Sequence, residues 1–397
     1  MTLTKRLILV LIAIFPGSVL AFHEAGQYEH ELEFQHARSQ LERELRKYEQ
    51  DVQEAMQEFE DKTAHVWGDE TEMPTPRQDV TYRNNQSERS IINYEEGSVV
   101  VEIAVNLNKS MRKKQLAEQL SQAIADVIVN GPDTRSIIEM AENPDAPASA
   151  DEKNSIVELV ADEEGKRLQK HEIQRFSQQQ LKRVRRHQLT GRDGIVRYVF
   201  TTHFSLVPDH IKVRAEKFRK PVEMHAQKFH IPTPLIYAVM ETESFFNPYA
   251  KSPVPAFGLM QLVPATGARD AYKFLFNKDR ILKESYLYKP EKNIELGVAY
   301  MHVIYYKYLH KIKNPKTKLW VMIAAYNTGV INVLKSFMGP YDRSKYGSMY
   351  VWKNKAIDKL NKMKPEQVFR FLEKNLPSEE TRNYLIRVRE RMGKYRA

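Results

Sequence analysis

The hydrophobic pattern of this 397-residue chain changes at Pro208, and this change limits the possible folds more than any other feature. Before Pro208 lie β-branched runs of alternating polarity, the last of them a predicted strand at residues 195–206. After Pro208, helical spacing with short Pro and Gly breaks continues without a convincing strand. We therefore predict an α+β protein, with a small α+β domain at residues 66–207 and an all-α domain at residues 208–397.

Local patterns place the elements of the predicted α+β domain. Residues 90–94 and 98–105 are β-branched runs around a Glu-Glu-Gly turn, and they predict a hairpin. Apolar residues at helical spacing then predict a helix that ends at Gly131, and residues 143–154 predict a surface loop. The apolar positions of that helix are Leu116, Leu120, Ile124, Val127 and Ile128.

The N-terminus resembles a secretory signal. Basic residues precede an apolar run at residues 7–15, and small residues end at Ala21, so we predict a signal peptide at residues 1–21. An uncleaved membrane anchor is the alternative, although the apolar stretch is short beside the roughly 20 residues that a span needs. Residues 22–65 follow as one predicted long helix, because their apolar positions alternate spacings of four and three.

The chain contains no cysteine, which excludes disulfides, thiolate nucleophiles and Cys-based metal sites. It also lacks the residue that carries the lipid of a bacterial lipoprotein. The twelve histidines show no metal-binding spacing, and we predict no metal and no cofactor. The expected location is the periplasm, free rather than lipid-tethered, with outer-membrane association left open.

Positive charge is concentrated in one segment. The formal net charge is +10, and residues 166–192 carry nine Lys and Arg residues against one acid, Glu172. Such a segment can bind nucleic acid, an anionic membrane or an acidic polymer, whereas a solvated helix face needs no partner. Because export argues against nucleic acid, we predict peripheral contact with membrane or wall through residues 166–192, with a solvated helix face as the alternative.

Glu243 lies on the apolar face of a predicted helix that Thr233 caps and that stops just after Ser244. Desolvation and the negative end of the helix dipole both favour a neutral carboxyl there, as a general acid requires. A partly exposed glutamate bonded to nearby backbone is the alternative. Glu241 points to nearly the opposite side, so we predict it to be solvated or structural rather than a partner of Glu243. The residues that share the face of Glu243 are Ile236, Val239 and Met240.

The segment around Glu243 belongs to an ordered set of motifs that resembles the signature of family 1 lytic transglycosylases. The motifs are E-S-F-F-N-P-Y-A at 243–250, G-L-M-Q at 258–261, P-A-T at 264–266, Asn293-Ile294 with Gly297 and Tyr300, A-A-Y-N-T-G at 324–329 and E-T-R-N-Y at 380–384. Upstream, V-W-G at 66–68, N-Y-E-E-G at 93–97 and V-P-D-H at 207–210 resemble the membrane-bound lytic murein transglycosylase C branch.

The resemblance implies a lysozyme-like catalytic domain of the goose type. It also implies cleavage of the β-1,4 bond between N-acetylmuramic acid and N-acetylglucosamine without water, leaving a 1,6-anhydro end. Glu243 would protonate the leaving oxygen and then accept the proton of the attacking muramic acid C6 hydroxyl. We identify no second acid in the matching motifs, which fits a mechanism with one carboxylate.

The resemblance further implies substrate contacts, each with a plain structural role in loop or core as its alternative. At the position two residues after Ser252, where close relatives carry serine, this chain has Val254. Two other functions stay open, a hydrolytic muramidase on the same fold and a non-catalytic peptidoglycan-binding protein. The implied contact residues are Ser244, Ser252, Met260, Gln261, Tyr326, Asn327 and Tyr384.

Overall fold

An antiparallel sheet of five strands forms the first part of the fold in the computed structural model. The strands are β1 Gln78–Arg83, β2 Glu88–Asn93, β3 Ser98–Asn106, β4 Arg185–Thr190 and β5 Val196–Ser205. Their order in the sheet is β1-β2-β3-β5-β4. The predicted hairpin is confirmed as β2 and β3, and Gly97 in its turn has a φ of 67°, which suits glycine. The predicted strand at 195–206 is confirmed as β5.

Helices account for most of the other described residues, and no strand follows Ser205 among them, as predicted. A π-helical turn, Val303–Tyr308, directly follows the helix that ends at His302. The helices are α1 52–67, α2 Lys113–Asn130, α3 Ile137–Glu142, α4 Ile173–Gln180, α5 His210–Glu216, α6 Arg219–Phe229, α7 Thr233–Ser244, α8 Gly267–Phe276, α9 Glu284–Leu287, α10 Pro290–His302, α11 Pro315–Thr328, α12 Val330–Met338, α13 Arg343–Tyr346, α14 Met349–Asn361, α15 Pro365–Asn375 and α16 Glu379–Lys394.

The structure describes residues 43, 46–48, 50–106, 112–145, 154–252 and 255–396. The predicted signal peptide, most of the predicted helix at 22–65 and Val254 lie outside these residues. None of the described helices is long and apolar enough to cross a membrane.

The strands β1 and β4 are absent from the sequence-based prediction. In β4 only Leu189 is buried, so no alternation of apolar residues marks the strand. The interpretation of residues 166–192 as a solvated helix face is therefore wrong, because α4 is the only α-helix in that segment. Its strand β4 is an edge strand whose exposed Arg185 and Arg186 discourage further strand pairing.

Many basic side chains of residues 166–192 have carboxylate partners. These surface pairs reduce the positive charge that the segment offers to a partner, although residues of β4 remain exposed. The pairs are Lys166 with Glu164 at 2.6 Å, Arg167 with Asp209 at 2.8 Å, Arg183 with Glu163 at 3.3 Å and Arg192 with Asp61 at 2.8 Å.

One hydrophobic core joins the sheet to the helical part of the chain. The helix α2 contributes the apolar face expected from its spacing, and it packs with residues of β2, β3 and β5. Phe245, which follows α7, is buried in the same cluster. The residue directly after the helix of Glu243 thus packs in the core of the sheet.

The helix α7 spans the predicted residues, but a different residue caps its N-terminus. Its N-terminal cap is Pro232, with no side-chain cap, so the prediction that Thr233 caps the helix is wrong. The helix ends as predicted, because Phe245 and Phe246 take left-handed φ angles of 48° and 61°. Such angles are uncommon for aromatic residues and require support from packing, which both buried rings receive.

A buried ionic cluster also connects the two parts of the chain. Lys251, in the loop after α7, lies 3.9 Å from the Asp79 carboxylate of β1 and donates to the backbone oxygen of Asp133 at 2.7 Å. The Asp133 amide donates in turn to Asp79 at 2.9 Å, and Arg135 pairs with the Asp133 carboxylate at 2.6 Å. Burial raises the pKa of Asp79 to about 6, although the Lys251 charge lowers it.

We predict that Lys251→Ala lowers the free energy of unfolding by about 3–5 kcal/mol, because it leaves the buried Asp79 carboxylate without its cation. Urea denaturation of the mature chain measures the change. The matched control is Lys316→Ala, which removes an exposed pair with Glu366 at 2.8 Å and should leave the midpoint unchanged. Equal midpoints for both variants would show that the cluster does not support the fold.

Candidate active site

A cleft of about 460 Å³ opens beside the C-terminal end of α7. Helical segments distant in sequence form it, and Pro76, from the turn before β1, lies at its border. Among the described residues no group of three or more His, Asp or Glu side chains is arranged to hold a metal ion. The lining residues that the sequence predicted are Glu243, Ser252, Gln261, Tyr326 and Asn327. Lining residues that it did not predict include Tyr300, Ser378, Glu380 and Thr381.

The Glu243 carboxyl is the least solvated acid of the cleft. Burial raises its pKa to about 8, the neighbouring Tyr384 hydroxyl lowers it, and the negative charge of Glu380 raises it further. Tyr384 is itself buried, and no hydrogen bond of standard geometry satisfies its hydroxyl. At neutral pH the carboxyl of Glu243 is therefore mostly protonated, with a phenol beside it that can stabilise the carboxylate once the proton has left.

Tyr326 and Asn327, at the end of α11, are fixed by hydrogen bonds to other segments. The Tyr326 hydroxyl donates to the Met260 backbone oxygen at 2.9 Å. The Thr381 hydroxyl donates to Asn327 Oδ1 at 2.7 Å. The Asn327 side chain is thus held through Oδ1, and its Nδ2 is a donor that a ligand in the cleft can use.

Gln261 lies on a tight loop whose shape depends on Gly258. Gly258 has a φ of 76°, and a Cβ there would lie 2.5 Å from the Asn293 side chain. Asn293, buried at the start of α10, accepts from the Met260 amide at 2.8 Å and donates to the Phe257 oxygen at 2.8 Å. Gln261 Nε2 donates to the backbone oxygens of the same loop, so its Oε1 is the atom turned to a ligand.

Three of the seven predicted contact residues do not line the cleft: Tyr384 lies behind it, beside Glu243, whereas Ser244 and Met260 are used in packing. Ser244 is fully buried and donates to the backbone oxygens of Met240 and Leu259 at 3.1 and 2.8 Å. Met260 is also fully buried, and its side chain packs against Gly297. The expectation that these side chains contact substrate is therefore wrong, because both are used in packing.

Glu380 corrects the view that the matched motifs contain no second acid. It is the first residue of the E-T-R-N-Y motif, it is exposed, and its carboxylate lines the cleft and acts on Glu243. Because Glu380 belongs to a matched motif, the sequence already indicated that it could lie near the cleft. Thr381, next in the motif, is buried, and its amide donates to the hydroxyl of Ser378, which caps the start of α16.

Glu241 is structural and not solvated. Its side chain is buried and accepts hydrogen bonds from Lys394 at 2.8 Å and Tyr395 at 2.6 Å, and it pairs with Arg391 at 3.1 Å. It thereby joins α7 to the end of α16. The predicted separation of the two glutamates is confirmed, since one faces the cleft and the other this ion network.

Comparison with known proteins agrees with this geometry. Residues 45–217 match the family described as "Membrane-bound lytic murein transglycosylase C, N-terminal domain", and residues 220–348 match the "Transglycosylase SLT domain". Membrane-bound lytic murein transglycosylase C of Histophilus somni (strain 2336) is 33% identical over 85% of this chain and 86% of its own length. The chain belongs to this family. The relative of the same name in Haemophilus influenzae (strain PittGG) is 31% identical, over 85% of this chain and 87% of its own length.

Membership in this family confirms the predicted family resemblance and enzyme class, a lytic transglycosylase. The antiparallel sheet, the helical part and the SLT match confirm the predicted fold class. A solved structure, the 70 kDa soluble lytic transglycosylase of Escherichia coli, is 26% identical, covering 45% of this chain and 24% of that chain with a TM-score of 0.32.

We predict opposite effects on stability for the two glutamates of α7. The pKa of Glu243 rises from its ordinary value of 4.5 to about 8 on folding, so wild type loses stability relative to Glu243→Gln between these pH values. Glu243→Gln should therefore be more stable by about 1–3 kcal/mol at pH 7 and equal to wild type at pH 4. Glu241→Gln should be less stable by about 3 kcal/mol at pH 7.

Thermal unfolding of the three proteins from pH 4 to pH 8 measures these effects. A Glu243→Gln protein that is no more stable than wild type at pH 7 would contradict the raised pKa of Glu243.

Proposed function

We propose that this enzyme cleaves the β-1,4 bond between N-acetylmuramic acid and N-acetylglucosamine in peptidoglycan, leaving 1,6-anhydro ends, with Glu243 as its acid and base. The observation that carries the proposal is a poorly solvated glutamate, with a pKa near 8, at the base of a polar cleft. The relatives named above are murein transglycosylases by name, which supports peptidoglycan as the substrate.

The proposed reaction uses the Glu243 carboxyl twice, first as a proton donor and then as a proton acceptor. Protonated Glu243 donates its proton to the glycosidic oxygen as the bond from that oxygen to the muramic acid C1 breaks. The muramic acid C6 oxygen then bonds to C1, and its hydroxyl proton returns to the Glu243 carboxylate. No water is consumed, and the enzyme ends in the protonation state in which it began. The Tyr384 hydroxyl supports the intermediate carboxylate, because it lowers the pKa of Glu243.

The polar atoms of the cleft suit the substrate's acetamido and hydroxyl groups. Gln261 Oε1 can accept from an N–H or hydroxyl, and Asn327 Nδ2 can donate to an acetamido oxygen. The Ser252 hydroxyl lies on the same lining. Tyr326 offers ring surface against which a sugar can pack, while its hydroxyl is held by Met260. These contacts would hold the sugar so that its own acetamido group faces the cationic C1.

Glu380 is the group that favours the alternative, a hydrolytic muramidase with two carboxylates. Hydrolysis needs a second carboxylate as nucleophile or as base for water. Glu380 is exposed, so water stabilises the charge of its carboxylate in the free enzyme. Glu243, by contrast, is poorly solvated. We propose that Glu380 acts on the pKa of Glu243 and not on the sugar.

We predict that Glu243→Gln lowers the rate of glycan cleavage by about 10²–10⁴-fold, because the amide can neither donate the proton nor accept it. Release of soluble fragments from purified peptidoglycan measures the rate, and mass spectrometry of wild-type products should show 1,6-anhydro ends. Reducing muramic acid ends would contradict the non-hydrolytic reaction. Wild-type rates in Glu243→Gln would contradict the role of Glu243.

The control for the one-carboxylate mechanism is Glu380→Gln. This variant should keep cleavage and 1,6-anhydro ends, and the alkaline limb of its pH profile, near pH 8 in wild type, should move to lower pH. The direction follows because the Glu380 charge raises the pKa of Glu243. A loss of activity as large as that of Glu243→Gln would favour two carboxylates.

We also propose that the enzyme works in the cell envelope, as the membrane-bound relatives do by name, with residues 166–192 in contact with anionic wall or membrane. Reversal of the exposed Arg185 and Arg186 to Glu should reduce co-sedimentation with sacculi at low salt and have little effect at high salt. Arg219→Glu, on α6, is the control. Unchanged sedimentation of the β4 variant would exclude this contact.

A further inference from the structure

A second cavity, of about 300 Å³, lies between the sheet and the helical part and shares no lining residue with the cleft. Tyr94, at the end of β2, lines one side, and Phe246, Pro248 and Tyr249, after α7, line another. Arg214, in α5, lines it as well. Its walls are thus mainly aromatic and apolar around one guanidinium.

Arg214 is a buried cation without a carboxylate partner among the described residues. It is 5% exposed, its guanidinium lies 3.7 Å over the Tyr94 ring, and Nη1 has no hydrogen-bond partner. Burial lowers its pKa to about 10, so it keeps its charge at neutral pH. Stacking covers one face of the guanidinium and leaves Nη1, at its edge, without a hydrogen-bond partner.

Another arginine of the same fold shows what a structural guanidinium looks like here. Arg89 is as deeply buried and stacks 4.0 Å over the Trp67 ring. Its Nε donates to the Glu102 carboxylate at 2.7 Å, so charge and donors are satisfied within the protein. Arg214 stacks on a ring in the same way but has no carboxylate partner in the described part of the chain, and it borders a cavity large enough for a carboxylate group.

The missing partner has a definite chemistry. A planar guanidinium whose Nη1 lacks a partner suits a carboxylate, which is the group that guanidinium edges bind best. The aromatic and proline walls favour an organic anion over a small hydrated ion, and the volume is at the lower end for ligand pockets. Lys217, also on the lining and exposed, adds a second positive charge.

We propose that this cavity binds a carboxylate of a peptide stem attached to the glycan substrate, with Arg214 as the residue that holds it. The proposal rests on peptidoglycan as the substrate but not on the chemistry of Glu243. It would give the enzyme a means to distinguish strands that carry stems from strands that have lost them.

Binding is tested with the mature protein and acetyl-D-alanyl-D-alanine, with its C-terminal amide as the uncharged control. The acid should bind Arg214→Met about 10–100-fold more weakly than wild type. The control is Arg219→Met, which removes a surface arginine paired with Glu216 and should bind the acid as wild type does. Equal binding of acid and amide, or of the acid to wild type and Arg214→Met, would overturn the proposal. Arg214-dependent binding of phosphate or acetate without binding of the peptide would overturn the assignment of the ligand.

Stability without ligand separates a binding residue from a structural one. Because Arg214 is buried without a carboxylate partner, Arg214→Met should melt at the same temperature as wild type or higher. A clear loss of thermal stability in Arg214→Met would indicate an internal partner. The same loss in Asp151→Asn with Glu152→Gln, in the neighbouring segment outside the described residues, would identify that partner and overturn the proposal.

Cleavage assays show whether the cavity matters for substrate choice. Arg214→Met should lose about 10–100-fold in kcat/KM on glycan that carries peptide stems and nothing on glycan stripped of them. Equal losses on both substrates would overturn the proposal. Peptide binding to the Glu243→Gln protein should equal that of wild type, so failure of the proposed acid–base chemistry would leave this test intact.

Discussion

The end of α7 is held from two sides, and the position of Glu243 depends on both contacts. On one side Phe245 is buried in the core of the sheet, with a left-handed backbone angle that packing must maintain. On the other side Glu241 is bound by Arg391, Lys394 and Tyr395 of the C-terminal segment. A carboxyl with a raised pKa would relax toward water if its helix could shift. These contacts prevent such a shift, because it would expose Phe245 to water or break the ion pairs of Glu241.

The loop that follows α7 depends on buried polar groups in the same way. Lys251 connects it to Asp79 and Asp133 in the sheet part, and Asn293 holds the segment with Met260 and Gln261. Lys251, Asp79, Asp133 and Asn293 are buried and each has a partner, so the loop has one preferred arrangement. The α+β part therefore supports the loop that follows α7. Its removal would expose Phe245 and take from Lys251 its contacts with Asp79 and Asp133.

How far the sequence predicts this architecture depends on which physical signal each element carries. Alternating β-branched residues mark β2, β3 and β5, and helical spacing marks α2 and α7. The strand β4 has one buried residue and no apolar alternation. The strand β1 has only two apolar residues, Val80 and Tyr82, and polar residues next to them are buried as well. The family motifs correctly indicate the cleft, but they contain residues used for packing as well as residues that line the cleft. For this reason the sequence wrongly predicts substrate contacts for Ser244 and Met260. The electrostatic effect of Glu380 on Glu243 acts between residues 137 positions apart, and only the folded chain shows it.

Two pairs of poorly solvated charged groups in this protein, Glu241 with Glu243 and Arg89 with Arg214, differ in whether the fold supplies a partner of opposite charge. Glu241 and Glu243 lie two residues apart on one helix, and only Glu241 receives cations from the protein. The same holds for Arg89, which has Glu102, and Arg214, which stacks on Tyr94 alone. A buried charge with its partner stabilises one arrangement of the chain, whereas a buried polar group without one is costly unless a ligand or a proton compensates it. By this criterion Glu243 and Arg214 are two positions, among the residues that the structure describes, where the fold leaves an interaction for something outside the protein to complete.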